Sequence, residues 1–533
     1  MDQESKKHYF NQEQTARIEA ELEQFSFLQK FHEVFSGGEI YLVGGAVRDF
    51  LLQRPTKDYD FVARKVEAEK LKDFLESLGT VNFVGKHFGV FKFIPKDWPL
   101  EEPIDVALPR NDFSFQTGGY RDVRVEIDSE MPIEEDLKRR DFTINALALN
   151  LSDKKRYFID AFGGLEDLNN KIIRAIGDPE QRFSEDYSRM LRALRFACQF
   201  SRTQHDQSDW QIDPKTWESI SRNIHHLNDV QTQVGETEEG STIALEIEKE
   251  RIVPYEVIAK EFLKSFKADP VKAFDLYEQS GAFQELIPEI INMKNCPQPE
   301  RFHSEGDVYT HTKLALNNLY SKEFQDYFGH QAPSLELILS VLFHDIGKPE
   351  TIQTPEKNGS DRIRFNNHDK KGEEMTRKIC ERLRLSSPDK VGADVEAVAR
   401  LVSSHMVCTN RDIPEMKANT IAKYFFNDYY KGDDLLKLSF VDIMASIQPN
   451  GKSDFTNFEL MQKRVDEIKN LSQSKKDLPA PLLNGGEIME EFAILPGPQI
   501  GEILNAVREE QLAGHISTKA EALDLVFKKL KAS

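Results

Sequence analysis

Only four cysteines occur in 533 residues, at Cys198, Cys296, Cys380 and Cys408, and no two of them make a CxxC pair. That excludes a disulfide scaffold and a zinc–thiolate site. No apolar run approaches the roughly 20 residues that span a bilayer. The first residues, MDQESKKHYFNQEQ, carry no apolar signal core, so a cytoplasmic protein with no membrane partner is expected. Basic charge is also short. Lys+Arg number 70 against 90 Asp+Glu, a net charge of −20. Such a chain has no general attraction for phosphates, and any nucleic-acid role must rest on a local basic patch. There is no internal repeat and no low-complexity tract. What is present is a globular balance, with 39% hydrophobic and 30% charged residues. At roughly 100–200 residues per domain, the length predicts several domains.

The texture changes along the chain. Ile18, Leu22, Phe25, Leu28 and Phe31 stand at helical spacing, which predicts an amphipathic lead-in helix over residues 12–35. EIYLVGG (39–45), DYDFVA (58–63), VNFV (81–84), FGVFKFI (88–94) and PIDVAL (103–108) are short and rich in Val, Ile and Phe, and read as strands of an α/β unit. From about residue 160 helical patterns dominate. The polar stretch 201–242 reads as a loop or insertion. NCPQPE (295–300) is a break and 474–481 a linker, and the tail from 482 carries two short helices, GPQIGEILNAV and KAEALDLVFKKL.

Three constellations carry chemistry. In the first, YLVGGAVRDFLL joins a strand, a Gly44-Gly45 turn and a helix opening at Ala46. Glycines let a backbone approach a phosphate, a helix start presents free N–H groups, and Arg48 adds positive charge. Twelve residues on, Asp58 and Asp60 stand two apart, so on a strand they share a face. Paired carboxylates suit Mg²⁺, which binds oxygen ligands together with substrate phosphates. A lone GG is usually a turn and a lone DxD a solvated strand end; the order strand–GG–helix–strand–DxD is far more specific.

In the second, FSEDYSRMLRALRFACQF (183–200) reads as one helix with Ser184 as its N-cap. Glu185, Asp186, Arg189, Arg192 and Arg195 form a stripe, and Met190, Leu191, Leu194 and Ala197 the packed side. An Asp and an Arg together offer an acceptor and forked donors to a base edge. The plain alternative is a solvated face of ion pairs. Across 139–202 there are 12 Lys/Arg and 9 Asp/Glu, a local basic excess in an acidic chain.

In the third, His311 opens HTKLALNNLY, His344 and Asp345 stand in LFHDIGKPET, and His368, His405 and Asp442 follow. Imidazole and carboxylate ligands suit a divalent transition metal. His225, His226 and His303 read as structural or surface residues.

These motifs resemble known families. The strand–GG–helix–strand–DxD order resembles the nucleotidyltransferase superfamily of the DNA polymerase β type. EEDLKRRDFTINAL (134–147) is similar to the RRDFTINAL motif of class II tRNA nucleotidyltransferases and bacterial poly(A) polymerases. The resemblance implies that Arg140 reaches the triphosphate and that Asp141 braces head against neck. EDxxR followed by RxxRF resembles the motif in which amino acids, not a template, select C and A. By that likeness Asp186 and Arg189 pair with the incoming base, Glu185 holds Arg189, and Arg192 and Arg195 contact phosphates. The His-Asp set resembles the HD phosphohydrolase domain, with His311, His344, Asp345 and Asp442 as core ligands. His368 and His405 would complete a second metal site or bind phosphate.

The whole resembles an HD-bearing, CCA-adding class II tRNA nucleotidyltransferase. It implies a lead-in (1–35), an α/β nucleotidyltransferase head (36–160), a helical neck (161–294) with its ERI signature at 250–252, a helical HD domain (295–473) and a helical tail (474–533). An insertion is expected at 228–247. The implied reaction adds C, C and A to the tRNA 3′ end from CTP and ATP, with Mg²⁺ at Asp58 and Asp60. Ni²⁺, Co²⁺, Mn²⁺ or Mg²⁺ at the HD site would support hydrolysis of a cyclic phosphate or 3′-phosphate on damaged tRNA ends. Three rivals stand beside it. A poly(A) polymerase, or an enzyme adding only CC or only A, shares the motifs, although no basic tail extension is present. An HD phosphohydrolase with a regulatory head would carry ligand-sensing domains at the C-terminus, and the tail is too short for two. An RNA-binding protein with dead sites is opposed by the intact DxD and EDxxR.

Overall fold

A computed structural model describes residues 7–10, 12–84, 89–96, 98, 102–120, 122–153, 156–201, 209–232, 249–388, 391–409, 413–471 and 478–532. The chain divides into two compact units, one of residues 1–269 and 275–285, the other of 270–274 and 286–533. Among the described residues no helix is long and apolar enough to cross a membrane. All four cysteines are buried and none forms a disulfide.

The first unit is the α/β part followed by helices, as expected. Its strands are β1 (Lys7–Tyr9), β2 (Glu39–Val43), β3 (Asp60–Arg64), β4 (Gly79–Val84), β5 (Val90–Pro95), β6 (Ile104–Ala107), β7 (Arg110–Ser114), β8 (Val123–Ile127), β9 (Leu147–Asn150) and β10 (Tyr157–Asp160). Eight of them make one mixed sheet in the order β1-β10-β9-β2-β3-β6-β5-β4. Among the described residues of this sheet, only β3 and β6 run parallel. β7 and β8 form a separate antiparallel hairpin. The core beneath the sheet holds Tyr41, Val43, Val62, Ile133, Leu137 and Ala148.

Several expectations need correction. The lead-in is two helices, Gln12–Leu22 and Ser26–Val34. The chain turns between them because Phe25 leaves the helical face to pack on Tyr59, Phe61 and Trp98, at ring separations of 4.8, 5.2 and 5.4 Å. β3 begins at Asp60, so Asp58 lies in the preceding loop and is exposed. The expected helix 183–200 is two helices, Pro179–Glu185 and Ser188–Ser201. Ser184 is therefore internal, and the cap is Asp178, which accepts from the Glu180 N–H. The 201–242 stretch is not all loop. Gln211–Ile212 pairs with Ile172–Ile173, and helix Pro214–Asn223 starts on an Asp213 cap with Pro214 in its first turn. Ile224–Asn228 forms a short 3-10 helix and Val230–Thr232 pairs with Lys249–Arg251, while residues 202–208 and, within the expected insertion, 233–247 lie outside the described residues. So do 474–477 of the expected linker.

Among its described residues the second unit is helical apart from one short strand pair, Ile352–Gln353 with Arg364–Phe365. Helices Val308–Asn318, Leu335–Phe343, His368–Arg382, Val395–Ser404 and Gly432–Ala445 hold the histidines and aspartates in register. The tail has three helices, not two: Gly485–Phe492, Pro498–Leu512 and Lys519–Ala532. The unexpected one opens with a capping box, Asn484 against Glu487.

Candidate functional site

The first constellation assembles at one end of β2 and β3. Gly44 has φ +73°, and a Cβ there would lie 2.4 Å from Arg140 Nη1 and 3.7 Å from Asp60 Oδ2. Only glycine fits both the backbone and the guanidinium. Arg140 thus lies directly on the turn, in reach of Asp60. In register, Asp60 faces Val43 on one side and Asp105 on the other. Burial, with the charges of Asp58 and Asp105 and against that of Arg140, raises the Asp60 carboxyl from 3.8 to about 6. Asp58 and Asp105 thus bring negative charge to bear on the buried Asp60 carboxyl, and a hard divalent cation is what relieves that repulsion. Asp105 was not singled out from the sequence, because it reaches the DxD pair only through the parallel β3–β6 pairing; Lys92 Nζ binds it at 3.0 Å.

Arg48 is buried beneath this turn. It donates to Asp49 at 2.9 Å and to Asn145 Oδ1 at 2.6 Å, and its guanidinium lies over the Phe200 ring at 4.8 Å. Asn145 in turn donates to Asp141 Oδ1 at 2.9 Å. The other oxygen of Asp141 accepts from Arg192 Nε and Nη2 at 2.9 and 2.6 Å. Asp141 thus ties the RRDFTINAL turn to helix Ser188–Ser201.

The second constellation surrounds a cavity of ≈ 460 Å³. One wall is the helix break, with Arg182, Glu185, Asp186 and Arg189; the other is the β7–β8 hairpin, with Arg110, Asp112, Ser114, Tyr120 and Val123; Arg139 lies beside them. Glu185 Oε2 accepts from Arg189 Nη1 at 2.6 Å, and Arg189 also donates to the Arg182 and Arg139 carbonyls. Asp186 accepts from the Ser188 N–H at 2.9 Å, and burial raises its carboxyl. An acceptor and a fixed guanidinium therefore share one wall. Arg192 and Arg195 do not line this cavity. Arg192 is held by Asp141, and Arg195 is buried with Nε on Glu261 and Nη1 on Gln199. The continuous stripe expected from spacing is broken at 186–187, which turns Asp186 and Arg189 to the cavity while Arg195 faces helix Tyr255–Ala268. Arg110, Asp112 and Arg139 were missed. Asp136 links them, accepting from the Arg110 N–H and from Arg139, which also binds Asp112 at 3.2 Å.

The third constellation is closed and buried. His311 Nε2 lies 3.0 Å from Asp442 and 3.7 Å from Asp345. His344 Nε2 lies 3.2 Å from Asp345 and 3.7 Å from Asp442. His368 and His405 approach Asp345 Oδ1 at 3.5 and 3.8 Å. Nδ1 of His344, His368 and His405 each donates to the carbonyl three residues back, of Val341, Phe365 and Val402. Each ring's proton is thereby placed on Nδ1, leaving the Nε2 lone pair inward. His368 and His405 then set two lone pairs 3.3 Å apart, and His344 Nε2 has no hydrogen-bond partner. This donor set fits a divalent metal, and two three-residue groups share Asp345: His311 with His344, and His368 with His405. Burial opposes charge on His311, but Asp442 and Glu305 lift it to about 9. Burial and the neighbouring rings lower His405 to about 4.

His303 belongs here and is not a surface residue. Glu305 lies 2.8 Å from both His303 Nδ1 and His311 Nδ1. Lys348 was also missed: it bridges Asp345 Oδ2 at 2.6 Å and Gln298 at 2.7 Å. A cavity of ≈ 960 Å³ opens on Asp345, Lys348, His368, His405 and Asp442.

Comparison with known proteins follows these three sites. Residues 40–174 match the family described as Poly A polymerase head domain, and residues 309–428 the HD domain. A multifunctional CCA protein from Nitrosomonas europaea is 31% identical over 347 residues, 65% of this chain and 69% of that protein. The chain belongs to the family of CCA-adding tRNA nucleotidyltransferases and bacterial poly(A) polymerases. An A-adding tRNA nucleotidyltransferase from Deinococcus radiodurans is 27% identical over 491 residues, 90% of this chain and 93% of that one. Among solved structures, a CCA-adding enzyme in complex with ATP aligns with TM-score 0.60 at 19% identity, covering 99% of this chain and 98% of that one. The Thermotoga maritima CCA-adding enzyme complexed with tRNA aligns with TM-score 0.59 at 19% identity, covering 98% and 99%. These two alignments speak for the fold.

Proposed function

We propose that this tRNA nucleotidyltransferase adds C, C and A to the tRNA 3′ end from CTP and ATP, in the domain order drawn from its motifs. The observation that supports it best is the pairing of two features in one unit: the Asp58–Asp60–Asp105 cluster and the Asp186–Arg189 wall. The reaction joins the tRNA 3′ oxygen to the α-phosphorus and breaks the bond to pyrophosphate. Asp58, Asp60 and Asp105 would hold Mg²⁺, which when bound lowers the pKa of the attacking hydroxyl and neutralises the leaving pyrophosphate. Arg140, which lies against Gly44, would bind the triphosphate. Asp186 accepts from a base edge and Arg189 donates to it, with Glu185 fixing the guanidinium. Arg48, Arg192 and Arg195 serve this site from behind, by bracing Asn145, Asp141 and helix Tyr255–Ala268. The basic excess over 139–202 supports tRNA as the polyanionic partner.

In the second unit, His311, His344, Asp345 and Asp442, with His368 and His405, would hold one or two divalent metals. Bound there, Ni²⁺, Co²⁺, Mn²⁺ or Mg²⁺ would supply an activated water for phosphoester hydrolysis, on a 2′,3′-cyclic phosphate or 3′-phosphate of a damaged tRNA end. Lys348 would orient Asp345 and face the substrate phosphate.

A second reading, addition of A alone, is favoured by the long alignment with the Deinococcus radiodurans protein. The deciding experiment supplies tRNA ending before CCA, after C and after CC, each with labelled CTP or ATP alone. Stepwise extension of all three acceptors is expected. Extension of the CC-ended acceptor by ATP alone, with CTP inert throughout, would assign A addition instead.

A further inference from the structure

The hairpin wall of the nucleotide cavity is a two-stranded ribbon outside the main sheet. Its outer face is uncovered: Phe113 and Phe115 are 45% and 67% exposed. A two-stranded hairpin has little stability of its own, so its position depends on where it is tied. At the base, Asp136 and Arg139 hold Arg110 and Asp112. At the tip the tie is Tyr187, the residue after Asp186. The Gly118 N–H donates to the Ser184 carbonyl at 2.9 Å, and the Tyr187 N–H donates to the Gly118 carbonyl at 3.0 Å. The Tyr187 ring lies flat on Gly118. A Cβ at that glycine, whose φ is +80°, would fall 1.9 Å from Tyr187 Cε2 and 2.1 Å from Cδ2. Behind Tyr187, His226 stacks parallel at 4.6 Å and 8°, fixed by Asp229 at 2.6 Å from its Nδ1. Inside the tip, Thr117 Oγ1 donates to Asp122 at 2.6 Å and keeps the turn tight.

We propose that Tyr187 is a positioning residue: with Gly118 and His226 it clasps the hairpin tip to the helix break and so sets the width of the cavity that takes the nucleotide. The clasp touches none of the reacting atoms. It acts through the break itself, since Glu185 and Asp186 precede Tyr187 directly and Arg189 follows within a turn. With the tip free, Ser114, Tyr120 and Val123 move away from Asp186 and Arg189, and a loosened cavity holds any nucleotide less tightly and tells a pyrimidine from a purine less well. This rests on the reading of that cavity as the nucleotide site.

The test compares Tyr187→Ala, Tyr187→Phe and Gly118→Ala with wild type, and Arg189→Ala as the control for the cavity. The readouts are kcat and KM for CTP and ATP on matched tRNA acceptors, incorporation of UTP and GTP, and the thermal midpoint. Tyr187→Ala and Gly118→Ala should each raise the nucleotide KM by roughly tenfold or more, with kcat within about threefold, and raise misincorporation. Tyr187→Phe keeps the ring and should restore the wild-type KM. Gly118→Ala keeps the tyrosine but forces its ring off the tip, so agreement between the two variants, changed on opposite sides of the same contact, separates the clasp from a general loss of folding. If Arg189→Ala alters nucleotide selection while both clasp variants keep the wild-type KM and fidelity, the clasp is overturned and the cavity stands. If Arg189→Ala leaves KM and selection unchanged, the cavity is not the nucleotide site and the clasp falls with it.

Discussion

Asp60 owes its chemistry to neighbours that are remote in sequence. Its own strand supplies neither Asp105 nor Arg140; sheet pairing brings one and the turn after helix Ile133–Lys138 the other. Removing it should therefore end nucleotide addition while the sheet survives. An Asp60→Ala protein whose activity stays within about tenfold of wild type, ~1.4 kcal/mol of barrier, would sink the assignment. The same residue predicts a pH effect on stability in chelator. Its carboxyl is raised from 3.8 to about 6 in the folded chain, so the folded state holds the proton more tightly than the unfolded one. The group's contribution is full below pH 3.8 and is lost as pH rises through about 6. Asp60→Asn removes that loss. Its thermal midpoint should exceed wild type at pH 8, by no more than about 3 kcal/mol in stability, and the gap should close near pH 4. Mg²⁺ should raise the wild-type midpoint and leave the variant's nearly unmoved. A gap that is constant from pH 4 to 8 refutes the repulsion of carboxylates at this point. The spacing of Gly44, Asp58 and Asp60 was legible in the sequence because it is local. Asp105 was not, and the burial of Arg195 was hidden because Glu261 lies on a distant helix.

At the scale of elements, strands such as β2 and β3 were readable from their Val, Ile, Tyr and Phe content. β9 was not, since its residues Leu-Ala-Leu-Asn include none of the β-branched or aromatic side chains that mark a strand. The single helix drawn over 183–200 failed for a different reason: helical spacing continues across 186–187, and only the Gly118 contact reveals the break. The HD motif shows the opposite case, in which one glycine reports a close packing of elements. A Cβ on Gly347 would lie 2.3 Å from the His368 carbonyl oxygen and 2.6 Å from the Gly372 N–H nitrogen. Helix His368–Arg382 therefore approaches the HDIGK turn backbone to backbone. Gly347→Ala must push that helix outward, and His368 with it, away from Asp345 and His405. Such overpacking costs about 1–3 kcal/mol. The variant should bind less divalent metal by elemental analysis of the purified protein and add nucleotides at the wild-type rate. Full metal content in a folded Gly347→Ala protein would separate His368 from the metal-binding group.

At the scale of the whole molecule, the acidic net charge and the nucleic-acid role reconcile through distribution: the excess of acid lies elsewhere than 139–202, where the count turns basic. The two chemistries are distributed as well. Asp58, Asp60, Asp186 and Arg189 belong to the first compact unit, and His311, His344, Asp345 and Asp442 to the second. No ligand residue is shared between the two groups, and their donor sets differ, all-oxygen in one and imidazole-rich in the other, so they favour different metals. The activities should therefore come apart. A double change, His344→Ala with Asp345→Ala, removes Asp345, on which both three-residue groups depend, and a second ligand of one of them, and also releases Lys348 from its buried carboxylate. Hydrolysis of a 2′,3′-cyclic phosphate, assayed with Ni²⁺, Co²⁺, Mn²⁺ and Mg²⁺ in turn, should fall to background in that protein. Nucleotide addition to tRNA lacking CCA, run beside it, should stay within about twofold of wild type. A matching fall in both assays would mean that the second unit's fold, not its metal chemistry, was lost, and Lys348→Met, which keeps the histidines and the stem of the lysine, then decides between them. No hydrolysis by the wild type with any of the four metals would overturn the phosphohydrolase reading and leave a cluster that binds metal without turning it to catalysis.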